Sequence, residues 1–443
     1  MATGAFSALA RLWRHRLFRK LVGVRVATQT ADGTLQLAMA SYILLSPQNA
    51  PNAWAMAGVL AITLLPFSII GPFVSVVLDR WSRQRVVVVV DSARAAIAVS
   101  IALVITSGAS EAVKTSSLLA LMLVAMSLNR FLLAGLSAGL PHTVEPDEYL
   151  AASSVMPVIG PMGVMIGAAL ATGGRLVLAR WLPTNQADAV VFTIAGLLFC
   201  CSVAIASTIG RDALGPDERV SHGSVREVVT GLVEAVSHLR SRPHAALGIT
   251  VIGAQRLLFG IIMVATILGF RNYFHDTADV TGATADLGLW AGITGAGFVC
   301  SVALTPQLSR HIGLRRAGIA LLAAAAIVQC VPGSIFIKAS LLVASGLLGL
   351  FSQSFKIVVD TLVQSHIDDV YKGRVFVIYD MVFNAALVLA AVIAALLLPP
   401  WGFSWPAFIG VGVGYALLAV FFAVASRRIG ADSFERGTES VGH

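Results

Sequence analysis

The chain reads as apolar runs of twenty or more residues broken by short polar intervals. A helix needs about 20 mostly apolar residues to cross the hydrocarbon core of a bilayer. By that measure, and by the Gly, Pro and charged breakers between the runs, twelve spans are predicted. Six lie at about 20–45, 53–78, 86–107, 115–141, 148–179 and 189–210. Six more lie at about 244–271, 284–308, 314–333, 338–365, 371–398 and 403–426. The longest polar interval, 211–243, separates the two sets. Within it Val225, Val228, Val229, Leu232, Val233, Val236 and Leu239 recur at helical spacing, which predicts an amphipathic helix on the membrane surface. The predicted organisation is an N-terminal six-helix bundle over 1–210, a linker over 211–243 and a C-terminal six-helix bundle over 244–443. The fold class is an all-α polytopic membrane protein.

Composition agrees with the pattern. Of 443 residues, 57% are hydrophobic and only 12% charged, and the mean hydropathy is +0.84. Soluble domains carry roughly 25% charged residues, so this chain has too few to coat a water-facing surface of its size. A soluble enzyme and a disordered chain are thereby excluded. The four cysteines, Cys200, Cys201, Cys300 and Cys330, stand in apolar stretches without CxxC spacing and read as buried thiols rather than metal or redox sites. The basic N-terminus, with Arg11, Arg14, Arg16, Arg19 and Lys20, precedes a run that continues past Arg25, Gln29 and Asp32. That run is too long and too polar for a signal peptide and reads as an uncleaved first span.

The net charge of +8 is unevenly placed. Alternate loops hold the N-terminal cluster, Arg80/Arg83/Arg85, the linker, Arg310/Arg315/Arg316, Lys372/Arg374 and Arg427/Arg428/Arg436. The other loops hold little beyond Lys114, Arg180, Arg271 and Lys338. The positive-inside rule then puts both termini in the cytoplasm of a cell whose plasma membrane holds the chain. The excess charge is expected to face anionic lipid and not nucleic acid.

The halves carry a weak repeat. A basic loop follows the second span (Asp79-Arg80-Trp81-Ser82-Arg83-Gln84-Arg85) and the eighth (Ser309 to Arg316). An acidic loop follows the fourth (Glu145-Pro146-Asp147) and the tenth (Asp368-Asp369). Six plus six spans with such a repeat are expected to work as two rocking halves around a central site.

Ionisable groups at membrane depth are costly, and each is a site candidate. In the first span Arg25, Gln29, Asp32 and Gln36 fall within an arc of about 60° at 100° per residue. A polar stripe inside a membrane faces protein or a water-filled cavity. Asp32 lies near mid-depth, where a carboxyl is placed to carry a proton. The alternative is a structural carboxylate permanently paired with arginine. Arg130, beside Asn129 in the fourth span, is the expected partner, either as a switch or as a fixed counter-ion. In the second half Arg256 adjoins Gln255 near mid-depth of the seventh span. Gln353, Lys356, Asp360 and Gln364 share an arc of about 80° on the tenth, and Asp380 and Asn384 stand at i, i+4 on the eleventh. Lys356 can pair with Asp360 or with Asp380, and the group reads equally as a packing cluster or a coupling device. Phe259, Phe270, Tyr273, Phe376, Tyr379 and Phe383 can line a cavity or pack helices. Gly160, Pro161 and Gly163 in the fifth span permit close helix approach and a bend. No nucleophile or metal-ligand cluster is evident. The histidines stand in loops or at span ends, so neither an enzyme nor a cofactor or metal site is expected.

Ile70-Gly71-Pro72-Phe73 followed by Leu78-Asp79-Arg80-Trp81-Ser82-Arg83-Gln84-Arg85 resembles the signature loop of the major facilitator superfamily, with Ser75 where that signature has glycine. Asn129-Arg130-Phe131, Lys356-Ile357-Val358-Val359-Asp360-Thr361 and Gly373-Arg374-Val375-Phe376 extend the likeness. The wording is closest to the bacterial branch of enterobactin exporters and macrolide-efflux proteins. The resemblance implies a secondary transporter of alternating-access type, a monomer without cofactor. It implies proton-coupled antiport and efflux, as of multidrug exporters, of a small amphiphilic molecule such as a drug or siderophore. Movement of a lipid or lysophospholipid is the alternative. It also implies a cytoplasmic latch of Asp79, Arg80, Arg83 and Arg85, with Arg374 opposite Asp79. The Gly160-Pro161-Met162-Gly163 stretch resembles the glycine-proline motif of the superfamily's antiporters.

Overall fold

Long apolar stretches in a hydrocarbon medium leave the backbone no partner but itself, and helices result. The computed structural model describes residues 11–44, 53–74, 81–145, 148–215, 225–276, 279–430 and 434. Among these are thirteen α-helices and no strand. They are α1 Arg16–Leu44, α2 Ala53–Ile69, α3 Arg83–Thr106, α4 Glu111–Gly139, α5 Tyr149–Leu178, α6 Thr184–Ser207, α7 Val225–Ser241, α8 Pro243–Asn272, α9 Val280–Ile312, α10 Leu314–Cys330, α11 Lys338–His366, α12 Asp369–Leu397 and α13 Trp405–Gly430. Apart from α7, the linker helix, they fall on the twelve predicted spans. Eleven are long and apolar enough to cross a membrane. The twelfth, α1, has 29 residues, about 43 Å at 1.5 Å per residue, and is set apart by its charges Arg16, Arg19, Lys20, Arg25 and Asp32.

Helix ends differ from expectation where local chemistry intervenes. In the second span, read to 78, Gly71-Pro72 tightens the α-helix after Ile69 into a 3-10 turn over Gly71–Phe73, and positions 75–78 lie outside the described residues. The sixth begins at Thr184 instead of 189 because Asp188, a charge that reads as loop, is buried and bound to Arg175. The eighth starts four residues early, at Val280, behind the N-cap Asp279, whose carboxylate accepts from Gly282 N at 2.9 Å. It ends at Gly313, whose φ of 83° favours glycine.

The chain forms two compact units. One comprises Met1–Ile43 and Ile69–Val228, and the other Leu44–Ser68 and Val229–His443. Nearly all of α2 thus groups with the second unit, where Ser68 Oγ donates to the Met381 carbonyl on α12 (3.3 Å). In the first unit α3 lies along α4 and α6. There α1 meets α5 backbone to backbone: Gly33 faces Val164, Gly163 faces Gln29 and Thr30, and Gly167 faces Thr30 and Thr34. Thr34 Oγ1 donates across the seam to the Gly167 carbonyl (3.1 Å). In the second unit α10 lies along α13 and α9 along α11. Here α8 meets α12, presenting Gly253 to Val382 and Gly260 to Ala390. First with fifth and third with sixth is the pairing within each half, so the repeat seen in the loops recurs in the packing.

The linker helix α7 is tied to the start of α12. Arg374 Nη1 donates to Glu234 (3.1 Å), Arg242 forks onto Asp368 (2.7 and 2.8 Å), and His238 stacks on Tyr371 with centroids 4.3 Å apart. Val229, Val233 and Val236 remain exposed along one side, as an interfacial amphipathic helix requires.

Two predictions follow from this packing. A Cβ at Gly167 collides with the α1 backbone at Thr30 and Thr34, whereas Gly173 on the same helix has nothing within 4 Å. Gly167→Ala should therefore cost about 1–3 kcal/mol of stability through overpacking, and Gly173→Ala should be neutral or slightly stabilising. Thermal unfolding in detergent micelles compares them. At the head of α9, the Gly282 N–H and then the His275 ring hold the exposed Asp279 carboxyl below its ordinary range. A depressed carboxylate stabilises above its unfolded pKa, and that stabilisation is lost as pH falls through the folded value. Asp279→Ala should lower the melting temperature at neutral pH, with the deficit shrinking as the medium is acidified through the carboxylate range.

Candidate functional site: charges buried in the helices

The deepest charges of the first unit converge on α3. Arg94 is fully buried and forms an ion pair with Asp32 of α1, itself 1% exposed. Its Nη1 lies 3.3 Å from Asp91 Oδ1, one helical turn back on α3, and its guanidinium carbon lies 4.2 Å from the centroid of Phe199 on α6. Asp91 is also fully buried. It accepts from Thr28 Oγ1 (3.2 Å) on α1 and from Ser202 Oγ (2.6 Å) on α6. Gln29 Nε2 donates to Asp32 Oδ2 at 2.9 Å. Two carboxylates and one guanidinium thus tie three helices together where no water reaches.

This arrangement changes the pairing expected from the sequence. Asp32 is met by Arg94, whereas Arg130 is half-buried on α4 beside Asn129, which is 2% exposed. The sequence reading missed Asp91 and Arg94, although they stand at i, i+3 in the otherwise uncharged stretch from Val86 to Val104. An acid and a base one turn apart at membrane depth are the signal that could have found them. The stripe on α1 is real but does not face one way in chemical terms. Gln29 and Asp32 are buried in the network, Gln36 is half-buried, and Arg25 reaches α5, where a Cβ on Gly160 would lie 3.3 Å from its Nη2. Of the α5 motif, Gly160 and Gly163 face α1 and Pro161 is exposed. A second buried pair that escaped notice joins Arg175 Nε to Asp188 at 2.6 Å, with Ser41 taking Arg175 Nη1 at 2.7 Å.

The second unit gathers its charges on α8, α11 and α12. Lys356 Nζ donates to Asp360 at 2.7 Å, both side chains being 26% exposed, so the i, i+4 pair prevails over Asp380, which is exposed. Arg256 is 4% exposed and rests its guanidinium carbon 4.1 Å from the Phe383 centroid. Gln255 donates to Ser352 Oγ (2.9 Å), Gln353 is half-buried, and Asn384 donates to the Asp380 carbonyl (2.9 Å). Of the aromatics, Tyr379 and Phe383 stand by Lys356. Phe270 and Tyr273 instead pack on Phe274.

The loop residues expected to form a latch are partly visible. Asp79 and Arg80 lie outside the described residues. Arg83 Nη1 donates to the carbonyls of Ala138 (2.7 Å), at the end of α4, and Leu214 (2.9 Å), in the stretch after α6. Arg85 lies over Trp81, 5.9 Å from the ring centroid. Arg374 is bound to Glu234, as described above.

Removing one partner of a buried ion network leaves the others uncompensated, at a cost of about 3–5 kcal/mol. Arg94→Ala should lose stability on that scale. Asp91→Asn, which keeps one acceptor oxygen and offers an N–H to the hydroxyl that donated to the other, should lose far less. Chemical unfolding in mixed micelles separates the two.

No protein-family model matches the chain. Two mycobacterial proteins, uncharacterized MFS-type transporters of Mycobacterium bovis and Mycobacterium tuberculosis, are each 33% identical over 420 residues, which cover 93% of this chain and 91% of theirs. Among solved structures, a variant of the nucleoside transporter NupG superimposes with a TM-score of 0.70 at 12% identity, over 93% of this chain and all of its own. The peptide transporter POT in complex with sulfate does so with a TM-score of 0.66 at 12% identity, over 94% of this chain and 95% of its own. Those two show the fold, and the mycobacterial relatives show the family. The chain is a multi-pass membrane transporter and not an enzyme, and it belongs to the major facilitator superfamily.

Proposed function

We propose that the chain is a proton-coupled exporter that moves an amphiphilic small molecule out of the cell by alternating access. The observation that carries the coupling is the Asp32–Arg94–Asp91 network. With all three groups ionised it bears one net negative charge in a site closed to water. One bound proton brings it to neutrality, and the same proton loosens whichever carboxylate it occupies from Arg94. Because the three residues lie on α1 and α3, with Thr28 and Ser202 as further ties, protonation changes how α1 is held against α3 and α6. A proton is thereby converted into a change of helix packing, which is what coupling needs. Arg130 on α4 is a further charged group of the same unit. In the second unit Arg256, Lys356, Asp360 and Asp380 are the corresponding charges.

The likeness of the loop after α2 to enterobactin exporters and macrolide-efflux proteins supports export and an amphiphilic cargo. The basic loops support a cytoplasmic position for both termini, with Asp79, Arg80, Arg83, Arg85 and Arg374 on that side. The division into bundles over 1–210 and 244–443 is retained as the working frame for the rocking halves, with the protein acting as a monomer. Lipid transport is a second reading, favoured by a wholly apolar cleft of about 350 Å³ between α8 and α13. Leu258, Gly414, Leu418 and Phe421 line it and suit an acyl chain.

The test uses everted membrane vesicles that build an inside-acid gradient reported by an acridine dye. Addition of a transported compound should dissipate the gradient in the wild type and not in Asp32→Asn or Asp91→Asn. Transport of the same compound should persist in the wild type only while the gradient is maintained. Transport at undiminished rate without a gradient, or by Asp32→Asn, overturns the coupling reading. Movement of a fluorescent lysophospholipid without a gradient favours lipid handling instead.

A further inference from the structure

Arg256 differs from every other deeply buried arginine described above. Arg94 and Arg175 meet carboxylates. Arg256 is 4% exposed, its Nε is closed to water without a hydrogen-bond partner, and it makes no hydrogen bond or ion pair among the described residues. Its contacts are aromatic: the guanidinium carbon lies 4.1 Å from the centroid of Phe383 and 5.5 Å from that of Phe259. Such faces hold a cation without neutralising it.

A second cation approaches the same ring from α11. Lys356 Nζ lies 5.8 Å from the Phe383 centroid and 5.3 Å from that of Tyr379, while bonded to Asp360 at 2.7 Å. Two cations thus converge on one aromatic wall, and Asp360, hydrogen-bonded to Lys356, also acts on Arg256 through space, so this carboxylate serves both. Asp380, the neighbouring acid on α12, is exposed. Exposure rises along α11 from half-buried Lys356 and Asp360 to exposed Gln364.

We propose that Arg256 and Lys356 form the binding site for the anionic head of the transported molecule, a carboxylate or phosphate. Its apolar part lies on Phe259, Tyr379 and Phe383. This rests on the transporter reading above and narrows its substrate to anionic amphiphiles. Arginine supplies a planar fork matched to either anion, worth more than a neutral hydrogen bond. Lysine supplies a mobile point charge that exchanges Asp360 for the ligand. Asp360 holds Lys356 in place when no anion is bound and becomes free to be solvated when one is. The aromatic wall contributes contact area and excludes water from the ion pair.

The test applies one apolar scaffold with four head groups to the intact purified protein in a neutral detergent, with no gradient imposed. The probes are 2-naphthoate, 2-naphthyl phosphate, 2-naphthamide and 2-naphthylmethylammonium, read by thermal shift and by titration calorimetry. The two anions should raise the melting temperature and the neutral and cationic probes should not. Arg256→Gln should abolish the anion response. Lys356→Gln should weaken anion binding about tenfold, and Arg256→Lys should retain part of it. Lysophosphatidate against lysophosphatidylcholine distinguishes a lipid source from a soluble one. A response to the lysophosphatidate alone keeps the anion site and assigns it to lipid. Equal response to 2-naphthamide, or an anion response unchanged in both Arg256→Gln and Lys356→Gln, overturns the proposal. Should Arg256→Gln fail to fold, Lys356→Gln and the head-group series still decide. Because these measurements are made on wild-type and Arg256 or Lys356 variants with no gradient imposed, a failure of proton coupling in vesicles leaves them untouched, and a failure here leaves the coupling experiment untouched.

Discussion

A guanidinium in the middle of an apolar bundle cannot be left to solvent, and the first unit is organised around meeting that demand. Arg94 draws Asp32 from α1 and Asp91 from its own helix, and Asp91 in turn draws Thr28 and Ser202. All but the Arg94–Asp91 contact, which lies within α3, cross a helix seam. The packing of α1 against α3 and α6 is therefore fixed by electrostatic and hydrogen-bond satisfaction as well as by shape. In a membrane that matters more than in water, because lipid offers helices no hydrophobic reason to prefer one another.

The opposite seam of α1 uses the other available means. Glycines on α5 and α1 let the two backbones touch, with Thr34 donating to Gly167 across the contact. One helix thus has a charged seam on one side and a close-packed small-residue seam on the other. The first seam is held by charge pairing and the second by close backbone contact. The second unit repeats the small-residue seam between α8 and α12, but places its charges differently. Its arginine is cushioned by aromatic rings instead of carboxylates. The two halves share a packing plan and have diverged in chemistry, as expected if one responds to protons and the other to cargo.

Much of the fold was legible in the chain because the bilayer imposes a single requirement, about 20 apolar residues per crossing. The spans follow that rule, and some of their ends are adjusted by local chemistry, such as the cap Asp279, the Gly71-Pro72 step or the buried Arg175–Asp188 pair. The amphipathic linker helix followed equally from its 3.6-residue period. Individual charges on α1, α8, α11 and α12 were legible as well, because a charge in an apolar run is conspicuous wherever it points.

Which charges meet was not legible, and only the tertiary structure decided it. Periodicity gives the direction of a side chain about its own helix axis and says nothing of which neighbour faces it. Asp32 was within reach of several arginines by depth alone, and the packing of α1 on α3 selected Arg94 over Arg130. Lys356 had two acids available, and the geometry along α11 selected Asp360. The sequence by itself determined how many helices cross the membrane and which polar groups they carry inward. Three-dimensional packing determined the partners, because pairing depends on distances between segments far apart along the chain, and on that pairing the proposed roles of Asp32, Asp91, Arg94 and Arg256 depend.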